Sequence, residues 1–369
     1  MFLDLSKAFD TVNHKILIEK LYKYGIRSNA HDWLISYLSN RNQLVEVSGH
    51  KSEPLKITSG VPQGSVLGPI LFLIYMNDIA NSSRLVKFLL FADDTTVYQS
   101  DKSLENLINT MNNECDKLAK WLAINRLTLN TKKTKYILFS SSHKLNKLRN
   151  TTLATIQINN SPIEKCEFFK FLGVYLQDNM KWNKHACFVS SKLAKTAAVI
   201  SRLKTFLPSN VLLQIYNSLF LPHINYCLGV WGNTEKYNSN KIVILQKRVV
   251  RSIGNASYLA HTDPLFTRFN ILKLEELFKV NVCKFMYKLL YGLLPQHVEN
   301  YFNIQKRIHG HDTRHVNNLV IAKYKTELYG KTIKIIGPKL WNSLPDEVKS
   351  SKSFQGFKRK LIKSLKNND

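Results

Sequence analysis

Two adjacent carboxylates, Asp93 and Asp94, interrupt an otherwise apolar stretch between residues 89 and 98. The flanking residues are β-branched, aromatic or aliphatic, so the pattern predicts a hairpin with both acids at its tip. Neighbouring negative charges repel each other and cost stability. A divalent cation between them would offset that cost, because magnesium takes hard carboxylate oxygens from proteins. Taken alone, these ten residues also fit a solvated turn.

A third carboxylate, Asp4, ends a short pattern typical of a buried strand, residues 2–5. This strand could lie beside the predicted hairpin in one sheet. Three carboxylates from two adjacent strands can hold two metal ions about 4 Å apart, one activating an attacking hydroxyl and the other neutralising leaving phosphates. Residues 59–65 (SGVPQGS) form a loop before a predicted helix, and its glycines would allow a flat ligand such as a nascent base pair to approach the backbone.

The elements that must position these residues alternate between helix and strand up to about residue 180. Helices are predicted before Gly25, around residues 33–38, from about 66 to 79 and over 104–122. Strands are predicted as a hairpin over residues 43–58, at 135–140, and at 168–176 with Gly173 inside. From about residue 183 onward the periodicity is helical, so we predict a boundary near residue 180.

The charge of the chain is strongly positive and unevenly distributed. Its 369 residues include 53 Lys and Arg against 26 Asp and Glu. Up to residue 180 there are 22 basic and 16 acidic residues, and beyond it 31 basic and 10 acidic. A polyanionic partner is therefore expected along the later half. The longest apolar run, residues 70–76, is too short to cross a bilayer, and no cleavable signal is visible.

The cysteines and histidines point to no metal or disulfide framework. The five cysteines are scattered without close pairs, which predicts reduced thiols and no disulfide-linked partner. His309 and His311 lie close in sequence, but no Cys-x-x-Cys pair accompanies them, so a zinc site is not favoured.

Three stretches, in order, resemble successive motifs of the reverse transcriptases of non-LTR (LINE-type) retrotransposons: residues 2–10 (FLDLSKAFD), 59–65 and 91–94 (FADD). Residues 129–135 (LNTKKTK) and 171–174 (FLGV) resemble the next two motifs, the second being the hairpin that contacts the primer. Residues 261–266 and 337–345 resemble stretches that follow the polymerase domain. Each motif is weak alone, but their common order makes the resemblance specific.

The resemblance implies an α+β fold: a polymerase-type palm, with an antiparallel sheet and helices on one face, then an all-helical thumb and a basic C-terminal helical region. The implied domains are a palm over residues 1–180 with the fingers largely missing, a thumb-like region over 181–260 and the basic region over 261–369. Because fingers precede the Asp4 motif in the family and the chain opens within a strand, we expect the sequence to be truncated at its N-terminus.

The resemblance also assigns catalytic roles. Asp4, Asp93 and Asp94 would be the catalytic carboxylates and the ligands of Mg²⁺, or of Mn²⁺ in its place, with Asp94 more a helper than a principal ligand. Asp10 could be a third ligand, but the interpretation as a helix cap or an ion-pair partner is preferred.

The residues implied to contact substrate or primer lie in four of the motifs. They are Phe9 under the incoming sugar, Gln63 and Gly64 at the nascent base pair, Lys133 near the leaving pyrophosphate, and Phe171, Leu172 and Gly173 at the primer. Phe9 would exclude a 2′-hydroxyl by its bulk, although an isolated phenylalanine is more often a core residue. Lys132 and Lys135 are as near in sequence as Lys133.

The function implied is RNA-directed DNA polymerisation, a nucleotidyl transfer that uses an RNA template, a DNA primer and deoxynucleoside triphosphates. The implied compartment is the nucleus or the cytoplasm, not a membrane or the secretory pathway. Two alternatives stay open: an inactive, truncated relic that binds nucleic acid through its basic half, and an RNA-dependent RNA polymerase. Phe9 discriminates against the second alternative.

Overall fold

The computed structural model describes residues 1–149, 155–302 and 318–366. It mixes helices with small sheets, which confirms the predicted mixture of the two element types. The chain divides into two compact units, Met1–Phe169 with Gln177–Met180, and Lys170–Leu176 with Lys181–Asp369. The three-domain division stays a prediction. His309 and His311 lie outside the described residues.

The strands of the described residues are short and fall in the first 177 positions. In chain order they are β1 (Phe2–Leu3), β2 (Asn42–Gln43), β3 (Glu46–Val47), β4 (His50–Lys51), β5 (Leu55–Lys56), β6 (Lys87–Phe91), β7 (Asp94–Tyr98), β8 (Lys135–Tyr136), β9 (Gln157–Ile158), β10 (Ser161–Pro162), β11 (Glu164–Lys165), β12 (Phe168–Phe171) and β13 (Val174–Gln177). The helices before them or between them are α1 (His14–Lys23), α2 (Ser28–Leu38), α3 (Leu67–Met76), α4 (Leu104–Ile124) and α5 (Ser142–Arg149).

The central sheet of the first unit has the strand order β11-β8-β1-β7-β6. Its neighbours are antiparallel except for β11 and β8, which are parallel. Leu3 pairs with Thr95 across β1 and β7, and Phe91 pairs with Asp94 across β6 and β7. This register brings the end of β1 and the start of β7 to the same edge of the sheet.

Helices α1, α3 and α4 supply much of the first unit's core. The apolar residues of α4 recur every three or four positions, and Ile108, Met111, Cys115, Leu118 and Leu122 are accordingly buried on one face. Asn13 caps α1 by accepting the Ile16 N–H at 3.2 Å, and Ser103 caps α4 by accepting the Asn106 N–H at 3.3 Å.

Two predicted strands differ from the structure. Residues 168–176 were expected to be one strand, but the chain turns at Leu172 and Gly173, whose φ angles of 44° and 82° are both left-handed. Two such residues make the type I′ turn that joins antiparallel strands, so β12 and β13 form a hairpin. The strand predicted at 135–140 is limited to Lys135–Tyr136, because only these residues have a neighbour in the sheet.

The second unit is helical in its described residues beyond residue 180. Its helices are α6 (Asn183–Leu203), α7 (Ser209–Ile215), α8 (Leu221–Asn225), α9 (Leu228–Trp231), α10 (Lys236–Ile253), α11 (Asp263–Arg268), α12 (Leu274–Leu290), α13 (Gln296–Phe302), α14 (Glu327–Gly330), α15 (Ile333–Asn342), α16 (Asp346–Lys349) and α17 (Phe354–Lys366). A π-helical turn, Tyr216–Phe220, joins α7 to α8.

Two apolar clusters support this second unit. One lies between α6 and α10 and includes the fully buried Tyr216 and Trp231. The other lies between α12, α15 and α17, where Tyr287 and Phe357 stack with ring centroids 4.5 Å apart. No helix among the described residues is both long and apolar enough to cross a membrane.

The ammonium group of Lys20 is buried within the first unit. Lys20 donates to Asp78 Oδ1 at 2.6 Å and to the Tyr75 carbonyl at 2.7 Å. Burial lowers the pKa of Lys20, and the bond to Asp78 opposes that shift. We expect Asp78→Asn to cost about 3 kcal/mol of unfolding free energy, because it leaves a buried cation without its counter-charge. Urea unfolding measures the loss.

The matched control for this prediction is the double variant Lys20→Met with Asp78→Asn. It removes both charges and should recover most of the loss, because an apolar side chain replaces the buried cation. A loss below about 1 kcal/mol for Asp78→Asn alone would show that water already solvates Lys20.

Candidate active site

The tip of the β6–β7 hairpin carries the two adjacent carboxylates, as the sequence predicts. Ala92 has a φ of 52°, which lets a two-residue turn of Ala92 and Asp93 close the hairpin. Asp93 and Asp94 are both exposed, whereas residues 95–97 directly behind them are buried. The strand is thus anchored in the core while its two acids face solvent.

Asp4 lies at the same edge. Leu3 pairs with Thr95 in an antiparallel ladder. Asp4, which follows Leu3, therefore lies opposite Asp94, which precedes Thr95. The electrostatics agree: burial, and then the negative charges of Asp93 and Asp4, raise the pKa of Asp94 above its usual value. Asp94 therefore feels the charge of both of the other predicted carboxylates.

The donor chemistry of this edge fits divalent cations, since three carboxylates that repel one another are hard oxygen ligands. Within residues 1–149, 155–302 and 318–366, no group of three His, Cys, Asp or Glu side chains is close enough to hold a metal ion. Repulsion between carboxylates favours separation when no cation is between them. Their role as ligands accordingly stays a prediction.

The main chain of Asp4 is held by residues that sequence reasoning assigned to another role or overlooked. Its N–H donates to Thr134 Oγ1 at 3.2 Å, and its carbonyl accepts the Asn130 N–H at 2.8 Å. Both partners belong to the stretch 129–135, in which the resemblance assigns a role only to a lysine. Lys133 itself is exposed.

The loop of residues 59–65 packs against the stretch that follows Asp4. Val61 donates its N–H to the Phe9 carbonyl at 2.8 Å, and Gln63 Nε2 donates to Asp10 Oδ1 at 2.8 Å. The expected cap or ion-pair role of Asp10 was wrong, because Asn13 caps α1 and the carboxylate accepts from an amide. Phe9 is half-buried, and its ring stacks on Phe72 with centroids 4.4 Å apart.

A polar cavity of about 630 Å³ opens beside this loop. Its lining includes the side chains of Asp10, His14, Arg41, Asn42 and Gln63.

The two glycines of the loop, at positions 60 and 64, have different surroundings. A Cβ at position 60 would lie 2.9 Å from the Asp10 carbonyl oxygen, whereas one at position 64 would meet nothing within 4 Å. Position 60 thus needs glycine for packing, and position 64 leaves open space.

The turn of the β12–β13 hairpin, with the predicted primer residues, contacts Tyr226 within the second unit. Tyr226 Oη donates to the Leu172 carbonyl at 2.6 Å. A Cβ added to Gly173 would lie 3.1 Å from Tyr226 Cε1. Tyr226 therefore fixes the turn. No local sequence pattern predicts this contact.

Residues 1–176 match the family described as Reverse transcriptase (RNA-dependent DNA polymerase). This part of the chain, just under half of its length, is therefore similar to reverse transcriptases. The matched residues include every predicted catalytic and substrate-contacting residue and the predicted primer hairpin, residues 171–173. Reverse transcriptases use divalent metals, which agrees with the donor chemistry of the three carboxylates.

Several non-LTR retrotransposon proteins are similar to the chain. The RNA-directed DNA polymerase from mobile element jockey of Drosophila melanogaster is 28% identical over 302 residues, covering 78% of this chain and 32% of that protein. The probable RNA-directed DNA polymerase from transposon BS of the same species is 27% identical over 75% of this chain and 31% of its own length. A Pol polyprotein from the R1 2 element of Nasonia vitripennis is 26% identical over 48% of this chain and 44% of its own length.

The alignment to the jockey protein is too long to end with the reverse transcriptase family match, so the similarity continues into the helical unit. The chain spans about a third of the length of the first two of these relatives.

The raised pKa of Asp94 predicts how stability depends on pH. Because the folded protein binds this proton more tightly than the unfolded chain, ionised Asp94 destabilises the fold at neutral pH, and that cost disappears below the ordinary pKa of 3.8. Without divalent cations, Asp94→Asn should stabilise the protein at pH 7 by less than about 1 kcal/mol, since the carboxylate is exposed.

Urea unfolding at pH 7 and pH 3.5 measures this difference. Asp116→Asn, which removes an exposed carboxylate from α4, is the control and should show no comparable gain. A destabilised Asp94→Asn protein at pH 7 would contradict the repulsion.

The turn at Gly173 gives a second prediction. Gly173→Ala should cost about 2 kcal/mol, from a left-handed φ and from crowding against Tyr226. Gly49→Ala is matched, since its φ of 83° is nearly the same and a Cβ there meets nothing within 4 Å. Gly49→Ala should cost about 1 kcal/mol of unfolding free energy. Equal losses for the two variants in urea unfolding would mean that Tyr226 moves aside at no cost.

Proposed function

We propose that this chain is an RNA-directed DNA polymerase that works by two-metal nucleotidyl transfer, with the first unit as the palm and the helical unit after residue 180 as the thumb and basic C-terminal region. The observation that carries the proposal is the register of β1 and β7, which sets Asp4 opposite Asp94 at the tip of the hairpin that also carries Asp93. A reverse transcriptase domain needs such a carboxylate cluster to bind cations at the reacting phosphate.

Asp4 and Asp93 would be the principal ligands of Mg²⁺, or of Mn²⁺ in its place, with Asp94 as a helper. When bound, the cations would lower the pKa of the primer 3′-hydroxyl and neutralise charge on the leaving pyrophosphate. The chain's own contribution is to hold these carboxylates at one sheet edge, so that little reorganisation is needed during the reaction.

The neighbouring residues would select and orient the nucleotide. Phe9, braced by Phe72, would place its ring under the sugar and exclude a 2′-hydroxyl. Gln63 and Gly64 would line the nascent base pair beside the polar cavity. The Gln63 amide would give up its hydrogen bond to Asp10 and bond to the substrate instead. Lys133, which is exposed, would meet the pyrophosphate with its ammonium group.

The primer and template would lie against the rest of the chain. Phe171, Leu172 and Gly173 would contact the primer from a turn that Tyr226 supports. The excess of basic over acidic residues beyond residue 180 would neutralise phosphates of the template RNA and the DNA primer, so binding should weaken as salt rises. A nuclear or cytoplasmic location is part of the same proposal.

Primer extension on an RNA template with Mg²⁺ and deoxynucleotides tests the proposal. Asp93→Asn should lower the rate at least about 100-fold, because it removes a charged ligand at the reacting phosphate. Asp116→Asn on α4 is the matched control and should keep the full rate. If synthesis is absent while primer–template still binds, the alternative of an inactive nucleic-acid-binding relic is favoured.

Sugar selection distinguishes this activity from RNA-templated RNA synthesis. Phe9→Val should raise ribonucleotide incorporation, relative to deoxynucleotide incorporation, by about 10- to 100-fold, because the smaller side chain leaves room for a 2′-hydroxyl. Phe9→Tyr keeps the bulk and should keep the selectivity. Single-nucleotide incorporation kinetics measure both, and unchanged selectivity in Phe9→Val would remove Phe9 from the sugar site.

A further inference from the structure

Asp4 lies just beyond the part of β1 that the sheet itself holds. The ladder to β7 reaches Leu3, and the ladder to β8 pairs only Phe2 with Lys135. The carboxylate nevertheless has to stay beside two other negative charges. The sheet alone does not fix the main chain at this position, so another element must.

That element is the loop before β8. Asp4 donates its N–H to Thr134 Oγ1 at 3.2 Å and accepts the Asn130 N–H on its carbonyl at 2.8 Å. The loop is closed on itself, because the Thr134 N–H donates to the Asn130 carbonyl at 2.9 Å. Both backbone groups of Asp4 therefore bond to one compact turn.

The chain that follows Asp4 is fixed to the same loop. Leu5 bridges to Leu129, and the Ser6 N–H donates to the Thr128 carbonyl at 2.8 Å. The loop cannot shift along Asp4 without breaking these bonds too.

Thr134 is 0% exposed, so its bond to Asp4 is shielded from water. A nearby residue offers a contrast. Thr95 is also buried, at 2% exposed, but its Oγ1 has no hydrogen-bond partner among the described residues. Two buried threonines thus lie near this sheet edge. The hydroxyl of Thr134 bonds to the main chain of Asp4, and the hydroxyl of Thr95 has no such bond.

We propose that Thr134 is a positioning residue for Asp4: its hydroxyl, together with the Asn130 N–H, holds Asp4 in place against repulsion from Asp93 and Asp94. The inference rests on the proposed role of Asp4 as a metal ligand. It separates two functions within residues 129–135, with the Lys133 side chain facing solvent and the Thr134 side chain facing Asp4.

The test compares Thr134→Val, which keeps the shape and loses the hydroxyl, with Thr134→Ser, which keeps the hydroxyl. Thr95→Val is the matched control, because it makes the same change at a hydroxyl without a partner. Hydrogen–deuterium exchange reports on the Asp4 amide. Mn²⁺ titration of the full chain with primer–template, followed by electron paramagnetic resonance, reports on metal affinity.

Thr134→Val should speed exchange at the Asp4 amide by about tenfold. It should weaken Mn²⁺ binding and lower kcat for primer extension by about 10- to 100-fold, the usual effect of losing a group that orients a metal ligand. The KM for deoxynucleotide should stay within about twofold, since substrate contacts are unchanged. Thr134→Ser and Thr95→Val should resemble the unaltered protein.

Unaltered exchange and Mn²⁺ affinity in Thr134→Val would overturn the inference. If thermal melting shows that Thr134→Val does not fold, Thr134→Ala is read by the same criteria, because it loses the hydroxyl without placing a methyl against the Asp4 N–H. Absence of synthesis by the unaltered chain would contradict the proposed polymerase function alone, since exchange at Asp4 still decides the role of Thr134.

Discussion

The constraint on which the first unit depends is electrostatic: three carboxylates are kept at one sheet edge although they repel each other. The antiparallel pairing of Leu3 with Thr95 sets Asp4 opposite Asp94, and burial, followed by the charges of Asp93 and Asp4, raises the pKa of Asp94. Buried neighbours secure each strand behind its acid. Neutralisation by divalent cations is the chemistry that carboxylate oxygens favour.

The parts of this site that the sequence predicts are those with a local signal. Alternating and β-prone residues around Asp93 indicate a hairpin, an apolar run ends at Asp4, and a glycine–proline loop precedes a helix. The structure has the hairpin, the strand end and the helix that begins at Leu67. Gly173 lies inside an apolar run whose sequence resembles a continuous strand, and the turn there depends on left-handed φ angles at both Leu172 and Gly173.

The contacts that sequence reasoning missed join residues far apart in the chain. Thr134 is 130 positions from Asp4, Tyr226 is 54 from Leu172, and Gln63 is 53 from Asp10. Each of these contacts depends on one polar group of a common residue type. The neighbouring residues show no periodic pattern that would indicate the contact. In the stretch 129–135 the lysines stand out by charge, whereas the buried threonine that bonds to Asp4 does not. Charge is visible in a sequence, but tertiary hydrogen bonding is not.

The most direct test of the central claim is the position of bound metal. Crystals of the chain with primer–template, deoxynucleotide and Mn²⁺, measured at a wavelength where manganese scatters anomalously, would locate the ions. Anomalous peaks are predicted at about 2.2 Å from carboxylate oxygens of Asp4 and Asp93, the distance of a hard oxygen ligand. Peaks that lie elsewhere, or an Asp4 side chain turned away from a metal bound by Asp93 alone, would contradict it.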